Sequence, residues 1–308
     1  MKPKVIVNPA AGRGTGGRLW PRIRQHLDDI LDGYDLSITA RAGDEIEMAR
    51  QALAEGSQHF IAIGGDGTIN GVLNALVADG AMRNPNLRLS AVPAGTANEL
   101  ARAIGCHGDI EGAVRGIAGG RERRFDLLQA DCGGLKGGSN HRYAVLAVSW
   151  GGAAEIVHRI NESRILKRLG GRFSYYVNTL IVTLTYPNHT ADLSIDGRRI
   201  DGLAHYSGLI CNMEVLGGGM RLAPGADHTD GIADLLLFKD IPRRDILLQK
   251  PSWLFEGHHI EHDKVELIRG REFDVQGPAA ALVDADGETV GRLPLAVRTL
   301  KQALPVVG

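Results

Sequence analysis

Four apolar residues, 60–63 (Phe-Ile-Ala-Ile), run without a break into Gly64-Gly65-Asp66-Gly67-Thr68. A strand apolar on both faces belongs in the middle of a sheet covered on both sides, as parallel sheets are. The glycines that follow let the chain turn sharply and let its N–H groups face an anion. Residues 69–77 continue with helical spacing, so the loop opens onto a helix N-terminus, where the dipole favours a phosphate. Thr68 adds a hydroxyl. Asp66 is the odd member, because an acid beside phosphates repels them unless it holds magnesium, a hydroxyl or a ribose. A plain strand–helix turn needs one or two glycines, not three around an acid.

The same alternation runs through the first 120 residues. Residues 4–7, 36–39, 60–63 and 87–92 are strand-like, and 17–31, 46–54, 69–77 and 98–104 are helical. Leu19, Ile23, Leu27 and Ile30 form one stripe on the first helix. Asp44 and Glu45 stand near the start of the second, where acids suit the dipole. Strands alternating with helices predict an α/β domain with an open, mainly parallel sheet. The pattern changes at Arg121-Glu122-Arg123-Arg124, a charged hinge after Gly119-Gly120. Beyond it, residues 125–130, 143–148, 191–195, 203–211 and 232–238 read as strands separated by Gly, Asn and Asp turns. One helical stretch, 153–184, intervenes with a bend at Gly170-Gly171. The tail, 297–307, is apolar and strand-like. A chain of 308 residues suits two domains. The predicted pair is an α/β domain, 1–124, and a β-rich, sandwich-like domain, 125–295.

Two more loops share the character of the first. Asn8-Pro9-Ala10-Ala11-Gly12 follows the first strand, and Pro93-Ala94-Gly95-Thr96-Ala97-Asn98 follows the fourth. Loops at the carboxyl ends of the strands of an open parallel sheet line one crevice, where ligands bind. Three such loops at one edge point there more sharply than any one of them. Gly12-Arg13-Gly14-Thr15-Gly16-Gly17 also fits the dinucleotide fingerprint, with Asp35 near the usual spacing. Pro9 breaks the tight turn that fingerprint requires, so this stretch reads as a phosphate-side loop with Arg13 or Arg18 as charge partners. A P-loop is excluded, because no GxxxxGK[ST] is present.

Charge and cysteine usage exclude other classes. With 35 Lys+Arg against 36 Asp+Glu, net charge −1, there is no basic excess for nucleic acid. Cys106, Cys132 and Cys211 are odd in number and far apart, so neither a disulfide framework nor a zinc knuckle is implied. The first apolar stretch is too short for a signal-peptide core, and no run approaches the roughly 18 apolar residues of a membrane span. These features predict a cytoplasmic protein. His258 and His262 lie four apart but outside an HExxH order. Ser149 and Ser207-Gly208 lack a nucleophile elbow.

Asn8–Gly12 (NPAAG), GGDGTIN from Gly64 to Asn70, PAGTANELAR from Pro93, GGGMRLAP from Gly217, Asp230-Gly231 and Asp286-Gly287-Glu288 fall in this order along nearly the whole chain. On these pieces the sequence resembles the diacylglycerol kinase catalytic-domain family, in its bacterial soluble branch related to sphingosine and ceramide kinases. GGDG is shared with NAD kinases and phosphofructokinases, so a fold of that kind is implied; the later pieces separate the lipid branch. The resemblance implies ATP bound by the first domain, with Asn8, Gly12, Thr39, Gly64, Gly65, Asp66, Gly67, Thr68, Asn70, Gly95, Thr96 and Asn98 around the nucleotide. It implies that Asp286-Gly287-Glu288 supplies the catalytic acid; on the chemistry of the residues themselves, Asp66 could take part by holding magnesium or the hydroxyl. It also implies a structural Mg2+ near Asp227, Asp230 and Ile232, and a tail, 296–308, that returns to the first domain as a strand. Where the family has Asn-Asp, this chain has Asn98-Glu99, an acid longer by one methylene. Taken alone, Asp286-Gly287 reads as a hairpin turn, and Asp230-Gly231 reads as a turn as readily as a metal site.

The expected reaction is phosphorylation of a lipid hydroxyl, with diacylglycerol first and a ceramide or sphingoid base second. Such transfer needs positioning and charge neutralisation and a base within reach of the hydroxyl. Glu288 or Asp286 could accept the proton. An NAD kinase-like enzyme and a non-catalytic lipid-binding regulator are the alternatives of other classes. Lipid would be met at a membrane surface. Arg159, Arg164, Lys167, Arg168 and Arg172, with Ile165, Leu166, Leu169, Phe173, Tyr175 and Tyr176, suit an anionic bilayer. Leu180, Ile181, Val182 and Leu184 read as acyl-pocket lining or core. A homodimer is left open.

Overall fold

The computed structural model describes residues 2–95, 98–104, 110–162, 171–247 and 252–308, with the side chains of 171–177 excepted. It divides into two compact units, residues 1–126 with 302–308, and residues 127–301.

In the first unit the order is β1 (Lys4–Val7), α1 (Ala11–Ile30), β2 (Asp35–Ile38), α2 (Asp44–Ala54), β3 (His59–Gly64), α3 (Asp66–Leu76), a short hairpin β4 (Val77–Ala78) and β5 (Ala81–Met82), β6 (Arg88–Pro93), α4 (Glu99–Ala103) and α5 (Ile110–Gly119). Strands stand in the order β2-β1-β3-β6, and every neighbouring pair is parallel. From Phe60 onward β3 is fully buried, as its unbroken apolar run demands. Helix α1 packs on α5, and α2 packs on α3.

The second unit begins within β7 (Glu122–Gly134) and continues with β8 (Ser139–Ala144), β9 (Ala147–Gly151), α6 (Gly152–Glu162), α7 (Gly171–Thr185), β10 (His189–Ile195), β11 (Arg198–Cys211), β12 (Ala233–Lys239), α8 (Arg243–Leu247), α9 (Ser252–Phe255), β13 (Val265–Gly270), β14 (Glu272–Gln276), β15 (Leu282–Ala285) and β16 (Glu288–Val307). Strands pair in the order β13-β12-β11-β10-β14-β16, while β9 joins β11 to β15. These contacts are antiparallel. Burial alternates along β14 and β16, the signature of strands wet on one face. Trp150, Phe273, Val283 and Leu295 lie in the core so formed. The last residues of β16 belong to the first unit, where Val306 pairs in parallel with Leu89 of β6. The parallel pairs therefore lie in the first unit and, apart from the short β4–β5 hairpin, the antiparallel ones in the second, so the strands taken together are mixed in direction.

Several elements depart from the sequence pattern. The predicted strand 143–148 is two strands, because the N–H groups of Val145, Leu146 and Ala147 turn away to bind the Asp286 carboxylate. The predicted hinge, 121–124, is instead mostly strand β7: Glu122 pairs with Arg88 and Arg124, and Arg123 lies over the Phe125 ring. The start of α1 is kinked at Gly12, Arg13 and Gly14, all with positive φ. Strands β13 and β14 alternate charged and apolar side chains too briefly to stand out as apolar runs. Residues 163–170, including Arg164, Ile165, Leu166, Lys167, Arg168 and Leu169, lie outside the described residues, as do Thr96 and Cys106. Cys132 and Cys211 are buried free thiols. Among the described residues no helix is long and apolar enough to cross a membrane.

Candidate active site

Three strand-end hydrogen bonds set the loops of the first unit side by side. Asn8 N–H donates to Ile63 O, Thr39 N–H to Val7 O and Ala94 N–H to Gly64 O, at 2.8–2.9 Å. The loops after β1, β3 and β6 then touch. A Cβ on Gly95 would lie 2.5 Å from the Cα of Gly65, so glycine alone allows that approach. Gly12, with φ 57°, could not carry a Cβ either, since it would meet Ala94 O at 2.9 Å. Asn8 Nδ2 donates to Thr68 Oγ1 at 2.9 Å and ties the first loop to the second. Asn98 is left-handed (φ 54°); its Oδ1 accepts Gly95 N–H at 2.7 Å and its Nδ2 donates to Gly95 O at 3.2 Å, which clamps the third. Asn8, Gly12, Gly64, Gly65, Gly67, Thr68, Gly95 and Asn98 thus gather at one sheet edge. Thr39 is buried at the end of β2, one strand beyond β1. Asn70 is buried a turn into α3, where Asn74 Nδ2 donates to its Oδ1.

Asp66 is half-buried in the same place, and its carboxylate faces along the chain. Oδ1 accepts Leu100 N–H at 2.9 Å, so Asp66 satisfies a first-turn N–H of α4 that has no partner within the helix. Burial raises its pKa, and the N–H groups of Leu100, Glu99 and Asn98 with the Arg102 charge pull it back. Arg18 reaches Thr15 Oγ1 at 2.8 Å, and Arg13 is exposed.

In the second unit Asp286 and Gly287 have φ 50° and 85° and join β15 to β16 through the Ala285–Glu288 pair. Two left-handed central residues make a type I′ turn. The Asp286 carboxylate lies inside the fold, accepting Val145 N–H at 2.8 Å on Oδ2, and Leu146 and Ala147 N–H at 2.7 and 3.2 Å on Oδ1. Glu288 is exposed at the start of β16. Helix α6 lies beside the turn: Asn161 Nδ2 donates to Gly287 O at 2.9 Å, and His158 Nδ1 is 3.3 Å from Thr289 Oγ1. Asp284, two residues before Asp286, is buried and pairs in register with Ser149 of β9. Sequence reasoning passes over Asp284, His158 and Asn161, and weighs Ser149 only as a hydrolase nucleophile. The spacing of Asp284 and Asp286 is the one signal that could have found the first.

The Asp227–Ile232 turn is engaged by its own chain. Asp227 Oδ1 accepts Thr229 N–H and Oγ1–H at 2.9 and 2.7 Å. Asp230 Oδ1 accepts Ile232 N–H at 2.8 Å, and its Oδ2 meets Arg269. Three of the four carboxylate oxygens are thus engaged by N–H, O–H and guanidinium donors of the chain itself, so the turn is held as it stands without a cation. His259 is buried, with its ring nitrogens 3.3 Å from Trp253 O and 2.9 Å from Leu222 O, while His258 pairs with Glu256 and Glu261. Ser207 Oγ accepts Ala153 N–H in the first turn of α6. Of the four α7 residues read as pocket or core, only Val182 is buried; Leu180, Ile181 and Leu184 are 41, 38 and 60% exposed.

Two family models match successive parts of the chain. Residues 2–130 match the diacylglycerol kinase catalytic domain, and residues 146–308 match the YegS C-terminal NAD kinase beta sandwich-like domain. A curated relative, diacylglycerol kinase of Staphylococcus carnosus (strain TM300), is 26% identical over 99% of this chain and 94% of its own length. A crystal structure of a diacylglycerol kinase from Bacillus anthracis str. Sterne superposes with TM-score 0.71 at 18% identity, covering 99% of this chain and 96% of the other. An NAD kinase from Archaeoglobus fulgidus in complex with ATP shares the fold more distantly, with TM-score 0.52 at 12% identity, covering 100% of this chain and 94% of the other. The two domains, in this order and over nearly the full length, place the chain in the diacylglycerol kinase-like lipid kinase family.

Proposed function

We propose that the chain transfers the γ-phosphoryl group of ATP, delivered as its magnesium complex, to the hydroxyl of diacylglycerol, forming phosphatidic acid. The observation that carries this reading is the contact of three glycine-bearing loops at the carboxyl ends of β1, β3 and β6. Backbone N–H groups so gathered beside the start of α3 suit a polyphosphate. Thr68, positioned by Asn8, would meet the phosphates, and Thr39 the nucleoside. Glu288 would take the proton of the lipid hydroxyl as the new O–P bond forms and ADP leaves. We assign the base to Glu288 rather than Asp286, because three backbone N–H groups already occupy the Asp286 carboxylate. The phosphoryl transfer itself asks chiefly for alignment and charge neutralisation.

The test is purified protein with γ-labelled ATP, magnesium and separate micelles of diacylglycerol, ceramide and a sphingoid base, with NAD as a soluble acceptor. Label in diacylglycerol alone is expected. Label in ceramide or sphingoid base changes the lipid, label in NAD changes the class, and label nowhere leaves a lipid-binding regulator.

The enzyme would work from the cytoplasmic side of a membrane, touching it through the basic stretch from Arg159 to Arg172. The exposed Leu180, Ile181 and Leu184 on α7 are in keeping with such contact. Reversing Arg164, Lys167 and Arg168 to Glu is expected to weaken flotation with anionic vesicles while leaving thermal stability unchanged. Undiminished flotation would remove the membrane-docking role.

A further inference from the structure

Asp284 takes no part in the chemistry above, yet it lies at its edge. The residue is 6% exposed. Its Oδ1 is 3.4 Å from Ser149 Oγ, and its Oδ2 has no hydrogen-bond partner among the described residues. It sits at the β-bulge between Val283 and itself, opposite Ser149, and the N–H of Gly287 faces its carboxyl. Among the described residues, the charges that act on it are the two acids of its own hairpin, Asp286 and Glu288. From β9 it meets the neutral Ser149, while α6 presents His158 and Asn161 to the Gly287–Thr289 end of the turn. A carboxylate here would bury a charge with one oxygen unsolvated and two like charges beside it.

We propose that Asp284 is a neutral carboxylic acid that acts as a positioning residue, holding the Asp286-Gly287 turn and so aiming Glu288 at the hydroxyl to be phosphorylated. The aiming rests on the assignment of Glu288 as base; the neutral state does not. Three features of the hairpin fit one design. Asp286 pins the turn to residues 145–147 through its carboxylate. Asp284, two residues earlier on β15, holds the same hairpin to β9, with its Oδ1 3.4 Å from Ser149 Oγ. Glu288, the third acid, is exposed. Burial, then Asp286, push the Asp284 carboxyl well above the ordinary range, against the pull of Gly287 N–H and Ser149. Losing its proton would add a third negative charge to the turn and push it apart.

The test uses the full chain with Asp284→Asn, which copies a protonated acid, and Asp284→Ala, which removes the support. The Asn variant should keep kcat within about twofold. The Ala variant should lose ~10–100-fold in kcat at unchanged KM for ATP, the scale expected of a misplaced catalytic group. In deuterated buffer near neutral pH and without substrate, the wild type should show the infrared carbonyl band of a protonated buried carboxyl, and the Asn variant should lack it. Equal loss of kcat in both variants, or no difference in that band, overturns the proposal. Should the Ala variant fail to fold, the Asn variant and the infrared band decide alone. A wild type that phosphorylates no lipid overturns the kinase assignment and the aiming role together, while the band still decides the state of the acid.

Discussion

The acid of the Gly64–Thr68 loop has two possible tasks, and its hydrogen bond separates them. Asp66 holds Leu100 N–H at the start of α4, and thereby fixes the third loop against the second. Asp66→Ala should therefore abolish transfer and also cost about 1 kcal/mol of stability, the usual worth of a lost helix N-terminal acceptor. Asp66→Asn keeps an acceptor for Leu100 and should melt close to wild type. If the Asn variant also transfers phosphate at near the wild-type rate, the carboxylate charge is not needed and Asp66 is structural. The type and place of this residue are legible in the sequence, but its direction is not. The N–H groups it meets belong to a five-residue helix beginning 33 positions later, at Glu99. Asp284 is hidden for a similar reason, since its burial depends on Ser149, 135 residues away.

At the level of elements, the central strands of the first unit are legible because burial on both faces leaves an unbroken apolar run. The joins between them are less so. His59 of β3 lies with Nε2 2.9 Å from Ser90 Oγ on β6, and Ser90 Oγ–H donates to Val307 O on β16 at 2.5 Å. With its own proton given to Val307, Ser90 must accept from His59, so the ring carries a proton on Nε2. Burial, assisted by Arg88, lowers the His59 pKa from 6.5 to about 4. The unfolded chain therefore binds the proton more readily between those values, and stability is present above pH 6.5 and lost as the pH falls toward 4. His59→Gln keeps a donor for Ser90 and removes the titration. Urea midpoints of this variant at pH 7 and pH 5 should lie closer together than those of the wild type. Equal shifts in the two proteins would assign the acid sensitivity elsewhere. The break between β8 and β9 teaches the same lesson: residues 143–148 have strand composition throughout, but a carboxylate some 140 positions on takes three of their N–H groups.

At the level of the whole molecule, two units with glycine loops in the first and a strand-rich second could be foreseen, because strand–helix alternation stops near residue 120. The end of the chain was foreseeable only from family resemblance, since an apolar tail does not announce its neighbour. Leu304 and Val306 are fully buried in the first unit. Burying each contributes ~1.5–3 kcal/mol, a large share of the roughly 5–15 kcal/mol by which a domain is stable. Deleting residues 302–308 should therefore lower the melting temperature of the first unit and expose β6 to aggregation. Light scattering and thermal melts check this, and an unchanged melt would show that the strand is dispensable. During synthesis, residues 1–126 leave the ribosome long before residues 302–308 are made. For all that time β6 has an open edge, in a domain that would otherwise fold first. The nascent first unit must wait, guarded or only partly folded, until residues 302–308 have been made.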